Sequence, residues 1–229
     1  FLKNQTIVLS FGKIKLDLTQ SIDREIYLNG FYENEQLNFL DQICNKEEVT
    51  HFLDIGANIG YYSLYFKKIN NIYAFEPNKK NFSQLVANVE LNNLNIKTYD
   101  FGLSNKNSAT EIWYTNKDKM GGSTIYDVDD EELKRYQEKE IIKEKILTKK
   151  LDEVLSISNK KILIKIDVER HEKKVLEGMN KIIQNNKIIM QIEVGESYKK
   201  EVFDYLKKLE FKWINTIRHD HYFIKDISK

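Results

Sequence analysis

The sequence predicts an α/β fold in which a mainly parallel sheet is covered by helices, and three observations carry that expectation. Short apolar runs recur at residues 52–55, 72–75, 96–101, 162–168 and 188–194. Segments with helical spacing of apolar residues follow several of them, most clearly at 81–91 and 172–183. A glycine-containing loop, Gly56-Ala-Asn-Ile-Gly60, breaks the first run and leads into a further helical segment. Strands that alternate with helices are joined by crossovers, which makes neighbouring strands parallel and buries both faces of the sheet.

Taken in chain order, residues 7–18 alternate (Ile7, Leu9, Phe11, Ile14, Leu16, Leu18) as one or two short strands with Gly12 near a turn. Leu37, Phe39, Leu40 and Ile43 have mixed helical spacing over 35–45, and a polar stretch to Thr50 then leads into the first buried strand. Residues 1–48 are therefore expected to be a strand and helix extension packed on a domain spanning 49–229. Between the third and fourth runs lies an insertion, 116–148, that reads as a lid. Its Met120-Gly-Gly-Ser-Thr124 segment suits a hinge with amides free to approach a ligand, or a simple turn. The charged stretch 127–145 suits a solvated helix. Past the strand at 188–194, residues 197–209 have helical spacing, and 211–214 with 222–224 form an antiparallel pair around the polar turn at 218–220.

Composition narrows the function. The chain has 229 residues, enough for one sizeable core. It carries 36 Lys plus Arg against 35 Asp plus Glu, a formal charge of +1, so no global excess is available to grip a polyphosphate backbone, and nucleic acid is not the expected partner. The one cysteine, Cys44, excludes an intrachain disulfide framework and thiolate zinc motifs, which suits a reducing, cytoplasmic setting. No apolar run approaches the roughly 20 residues of a membrane span, so no stable membrane insertion is expected. His219 and His221 read as hairpin residues, and no metal-ligand set is identifiable.

The most informative stretch is Phe52-Leu-Asp-Ile-Gly-Ala-Asn-Ile-Gly60, a buried strand that breaks into a loop at its carboxyl end. Gly56 allows the backbone to turn and approach a ligand, Gly60 permits close helix packing, and Asp54 and Asn58 add polar groups at that edge. A nucleoside-containing ligand fits such a crevice. The Gly-x-x-x-Gly spacing lacks the Gly-x-Gly-x-x-Gly pyrophosphate loop, which disfavours a nicotinamide dehydrogenase. The second strand ends in Ala74-Phe-Glu-Pro77, placing Glu76 twenty residues after Gly56, where an acid accepts hydrogen bonds from ribose hydroxyls. Either acid alone also suits a cap or a surface carboxylate; their placement on consecutive strands favours the ligand reading.

FLDIGANIGYYSLYF, AFEPNKKNFSQLVANVELNN, GLSN and IKIDVERHEKKVLEGM, in that order over roughly residues 50–195, resemble the FkbM family of S-adenosylmethionine-dependent methyltransferases. The resemblance implies a class I methyltransferase, Rossmann-like fold: a mainly parallel seven-stranded sheet with an antiparallel C-terminal strand and helices on both faces. It implies S-adenosyl-L-methionine as cofactor, with adenine approached by Asp100, Gly102 or Ser104. It also implies O-methylation of a carbohydrate hydroxyl, on a nucleotide-activated sugar or a bacterial surface-glycan precursor. One departure stands out: such sequences often carry Gly after Asp-Val-Glu, where this chain has Arg170.

Methyl transfer to a hydroxyl needs the acceptor oxygen aligned behind the sulfonium methyl group, and orientation supplies much of the catalysis. A positioned base helps, because a sugar alcohol is a weak acid. Asp167, Glu169 and His171 at the end of the strongest strand are the candidate catalytic residues, with Asp167 central and His171 the more unusual base. Other roles remain open: a helix cap for Asp167, a surface ion pair for Glu169 and Arg170, a satisfied or solvated His171. Glu193, ending the next strand, closes the site or serves as a structural hydrogen-bond partner. Ser123, Thr124, Arg170 and Glu193 are the candidate acceptor contacts. Lys117, Lys119, Arg170 and the Gly121 and Gly122 amides are candidates for an anion site, or are surface groups. A peptide or small-molecule methyltransferase and a noncatalytic adenosylmethionine-binding module are the alternatives. Acceptor identity, methylated position and oligomeric state are not legible.

Overall fold

The alternation of buried strands and helices holds in the computed structural model, which describes residues 3–115 and 141–227. The chain opens with an antiparallel hairpin, β1 (Asn4–Leu9) and β2 (Gly12–Asp17), followed by α1 (Ser21–Asn29) and α2 (Asn34–Glu47). The core then runs β3 (His51–Ile55), α3 (Tyr61–Tyr65), β4 (Asn71–Phe75), α4 (Lys79–Leu91) and β5 (Ile96–Tyr99). Next come β6 (Gly102–Leu103), β7 (Ser108–Thr115), β8 (Ile141–Lys149) and α5 (Leu151–Val154). The chain closes with β9 (Lys161–Ile166), α6 (Glu172–Glu177), α7 (Asn180–Asn185), β10 (Lys187–Glu193), α8 (Glu196–Lys208), β11 (Lys212–Ile217) and β12 (Asp220–Lys225).

Seven strands form the main sheet in the order β11-β12-β10-β9-β3-β4-β5. Pairings from β10 through β5 are parallel, and β12 is antiparallel to both its neighbours. The central strands carry nearly continuous Ile, Leu and Phe because both faces are covered. On one face Leu53, Ile55, Ile164, Ile166, Met190 and Ile192 pack with residues of α5 to α8. On the other, Phe52, Leu163, Ile189 and Tyr222 pack with Ile14 of β2, Ile26 of α1, Leu37 and Leu40 of α2, and Tyr61 and Tyr62 of α3. Among the described residues no helix is long and apolar enough to cross a membrane.

The N-terminal hairpin docks through two asparagines four residues apart, Asn88 of α4 and Asn92 just past its end. Asn92 accepts from the Lys13 N–H at 2.8 Å and donates to the Lys13 carbonyl at 2.6 Å, while Asn88 accepts from the Lys15 N–H at 2.7 Å and donates to the Ile59 carbonyl at 2.9 Å. A side-chain amide has both a donor and an acceptor, so two of them stand in for a neighbouring strand.

Two expectations are corrected. The helix expected over 172–183 is two helices that part at Gly178 and Met179: Gly178 lies against the Ser104 carbonyl, where a side chain would collide, and Asp152 accepts from the Lys181 and Ile182 N–H groups at the start of the second helix. The C-terminal end of the expected solvated helix, residues 141–145, is strand, part of β8. Of the 116–148 insertion, residues 141–148 are described and lie in β8, which pairs with β6 and β7 in a second sheet of order β6-β8-β7. Residues 116–140, with Lys117, Lys119, Gly121, Gly122, Ser123 and Thr124, lie outside the described residues. The α1 helix has no counterpart in the sequence reading.

Candidate functional site

The loop after β3 is built from left-handed backbone: φ is 81° at Gly56, 50° at Asn58 and 86° at Gly60. The Gly56 and Ala57 N–H groups both donate to the Phe75 carbonyl at 3.0 Å. A Cβ on Gly56 would collide with the Asp167 carbonyl oxygen, so this glycine lets the loop lie directly against the chain leaving β9. A Cβ on Gly60 would meet Leu85 of α4, the close helix packing expected of it.

Glu76, 6% exposed, ties this loop to the end of β4. One carboxylate oxygen accepts from the Asn58 N–H and the other from the Asn78 N–H, both at 2.9 Å. Burial pushes its pKa up to about 7, against the lowering effect of those two amides. Each oxygen keeps a second lone pair for a ligand hydroxyl. Asp54, buried at the end of β3, accepts from the Ser63 hydroxyl at 2.6 Å through Oδ2, and burial raises its pKa.

The adenine-side candidates do not sit together in one environment. Asp100 is exposed after β5, whereas Gly102 and Ser104 are buried. The Ser104 N–H donates to the Lys149 carbonyl at 2.9 Å, and its hydroxyl lies 3.0 Å from His171 Nε2. His171 is buried beside it, and burial, with the Lys174 charge adding to it, pushes its pKa down to about 4.

At the end of β9, Asp167 Oδ2 accepts from Lys165 Nζ at 2.8 Å, with the lysine side chain buried and the aspartate side chain 27% exposed. Glu169 and Arg170 both turn through left-handed φ, 48° and 71°, and the Arg170 N–H donates to Glu172 at 2.8 Å. A glycine suits such a position, which accounts for the residue that FkbM-like sequences often carry there. The Arg170 guanidinium lies 5.5 Å from the Tyr198 ring centre. Burial, with the Asp167 charge adding to it, pushes Glu193 up to about 9, whereas Glu169 is exposed.

Five residues beside this edge escaped the sequence reading. Lys165 lies under the Tyr62 ring, its Nζ 4.8 Å from the ring centre, and the Tyr62 hydroxyl donates to Glu33 at 2.6 Å. Gln191 donates to Asp220 at 2.6 Å and to the Tyr62 oxygen at 3.3 Å. Lys165 and Gln191 had a legible signal, a polar residue inside an apolar strand. Glu33 had none, because only the path between α1 and α2 brings it here, with φ of 48°. Among the described residues no group of three or more His, Cys, Asp or Glu has a metal-holding arrangement.

The parallel order with its antiparallel β12, and a loop from β3 clamped by the acid ending β4, define a class I methyltransferase. The chain belongs to the FkbM methyltransferase family: the Methyltransferase FkbM domain matches residues 54–213, and S-adenosylmethionine is the cofactor of this class. Its relatives include the hexuronic acid methyltransferase AglP of Haloferax volcanii, 29% identical over 174 residues, a match covering 71% of this chain and 63% of AglP. Methyltransferase SdnD of Sordaria araneosa is 29% identical over 206 residues, covering 75% of this chain and 73% of SdnD. Among solved structures, the FkbM methyltransferase of Methylobacillus flagellatus KT superposes with a TM-score of 0.51 at 13% identity, over 77% of this chain and 44% of that one. The tRNA m1G37 methyltransferase of M. jannaschii gives 0.52 at 11% identity, over 99% and 58%. At these identities the structural likeness concerns the fold.

Proposed function

We propose that this protein is an O-methyltransferase acting on a carbohydrate hydroxyl, with a nucleotide-activated sugar or a surface-glycan precursor as the acceptor class. The carrying observation is Asp167, a partly exposed carboxylate at the end of the central strand, one oxygen held by the buried Lys165 at 2.8 Å. It adjoins the loop at Gly56 that receives the cofactor, so cofactor and acceptor meet across it. The name of the relative AglP, a hexuronic acid methyltransferase, supports a sugar acceptor.

The residues fit the cofactor. The 56–60 loop forms its backbone cradle and Glu76 has lone pairs to take the ribose hydroxyls, with Asp54, Asn58 and Gly102 lining the same strand ends. When bound, S-adenosylmethionine supplies an electrophilic methyl group. The chain supplies orientation and a proton acceptor: Lys165 fixes Asp167 Oδ2, leaving Oδ1 to align the acceptor hydroxyl and take its proton. His171 is the weaker choice of base, because an imidazole held near 4 has little proton affinity at neutral pH and its Nε2 is engaged by Ser104. Glu193, pushed up to about 9, holds its proton and serves as a donor to the acceptor. Arg170 stands at the outer rim, and Glu169 is the second proton acceptor.

The test is product mass with a sugar acceptor panel. Asp167→Asn is expected to lower turnover by roughly 100-fold or more with unchanged S-adenosylmethionine affinity, and His171→Ala to act through stability. Wild-type turnover in Asp167→Asn would remove the assignment.

A further inference from the structure

The buried face of the second sheet carries a carboxylate. Along β8 the residues alternate: Lys143, Lys145 and Leu147 are exposed, whereas Ile146 and Thr148 are buried. By that period Glu144 belongs with the buried set, and it lies opposite Ile112 of β7, which is 0% exposed. Packing alone gives no reason for an acid at such a position, because a carboxylate turned inward needs partners.

Its partners are in the turn that carries Glu76. Glu144 Oε2 accepts from Asn78 Nδ2 and Oε1 accepts from the Lys79 N–H, both at 3.2 Å. Asn78 is 0% exposed and caps α4: its Oδ1 accepts from the Lys80 N–H at 3.1 Å and from the Asn81 N–H at 3.0 Å. With the amide oxygen given to the helix, the amide nitrogen faces away from it, and Glu144 is the acceptor it meets. The Asn78 backbone N–H in turn donates to Glu76 at 2.9 Å. The α4 helix begins Lys79-Lys80 and has no acid in its first turn, so Glu144 also brings the negative charge that a helix N-terminus favours.

We infer that Glu144 is a positioning residue for the cofactor: through Asn78 it fixes the turn after β4, so that the Glu76 carboxylate stays presented to the ribose hydroxyls. The inference rests on the reading of Glu76 as the ribose acceptor and extends the cofactor site to the second sheet. Glu76 is held by one backbone amide from each of two loops, Asn58 and Asn78. The Asn58 loop has its own clamp, since the Gly56 and Ala57 N–H groups both donate to the Phe75 carbonyl. On the other side Pro77 has no N–H to give, and the Asn78 side chain ties the turn at both its ends. Removing Glu144 leaves the buried Asn78 Nδ2 unpaired, and the amide then turns toward another partner at the expense of the cap and of Glu76.

The experiment measures, by titration calorimetry on the whole chain, the affinities of S-adenosylhomocysteine and of its dideoxy analogue, which lacks both ribose hydroxyls. Glu144→Ala is expected to weaken S-adenosylhomocysteine roughly tenfold and the analogue less than about twofold, because only the hydroxyls that Glu76 accepts sense its position. Glu144→Gln keeps the shape and one acceptor oxygen. It should give the same pattern at about threefold, and it carries the test if Glu144→Ala does not fold. Equal weakening of both ligands is the mark of a merely structural role, and unchanged affinity for both is the mark of none; either result overturns the proposal. A wild type that binds the two ligands equally would instead overturn the ribose reading of Glu76 on which it rests.

Discussion

Gly56 shows how a correct residue can carry two reasons. Its place in the loop after β3 suggests close approach of a ligand, yet the atom nearest its missing side chain is the Asp167 carbonyl. Gly56→Ala therefore pushes on the strand end that carries the proposed base. With the left-handed backbone it costs about 3 kcal/mol, read from urea denaturation, and an unaltered midpoint would refute the contact. Arg170 permits a cleaner comparison. Alanine and glycine both remove the Tyr198 contact, but only glycine relaxes φ of 71°, so Arg170→Gly is expected to be about 1 kcal/mol more stable than Arg170→Ala.

Glu76 ties stability and binding to pH. Below about 4.5 folded and unfolded chains both hold its proton, and between there and about 7 only the folded chain does. Apo stability thus falls as pH rises through this window and levels off above it, by on the order of 3 kcal/mol in all. In the proposed cofactor site, ribose hydroxyls donate to the ionised carboxylate and pull the other way, so S-adenosylmethionine affinity should tighten as pH rises through about 7. Glu76→Gln should flatten both profiles, measured by thermal unfolding and by titration calorimetry between pH 5 and 8.

At the scale of elements, Asn88 of α4 and Asn92 at its end decide how the N-terminal hairpin sits. Asn88→Ala leaves the Lys15 N–H and the Ile59 carbonyl unpaired and should cost about 2 kcal/mol, with faster amide exchange confined first to β2. Protection of β2 equal to the wild type would show that apolar packing alone seats the hairpin. Neither asparagine is distinguishable in sequence from other polar helix positions. The long apolar strands were legible, since burial on both faces leaves an unbroken Ile and Leu pattern. The close approach at Gly178 was not, because the backbone it lies against belongs to Ser104, 74 residues earlier in the chain.

For the molecule as a whole, titration with S-adenosylmethionine, S-adenosylhomocysteine and NADH should give binding of the adenosyl ligands alone, because S-adenosylmethionine is the cofactor of this class and the loop at 56–60, the proposed nucleoside site, lacks a pyrophosphate turn. NADH binding in their place would point to a different use of the fold. Local pattern by itself determined the alternating α/β order, the strand-end position of Asp54, Glu76 and Asp167, and, through the ordered motifs, the family. These are properties of residues near one another in the chain, where strand period and turn chemistry act directly. Only the tertiary structure decided that Lys165 holds Asp167, that His171 is buried against Ser104, and that Glu33 reaches the sheet through a left-handed turn. Each depends on register between distant strands and on burial, which sets the charge a side chain can carry, and neither is written in the spacing of residues along the chain.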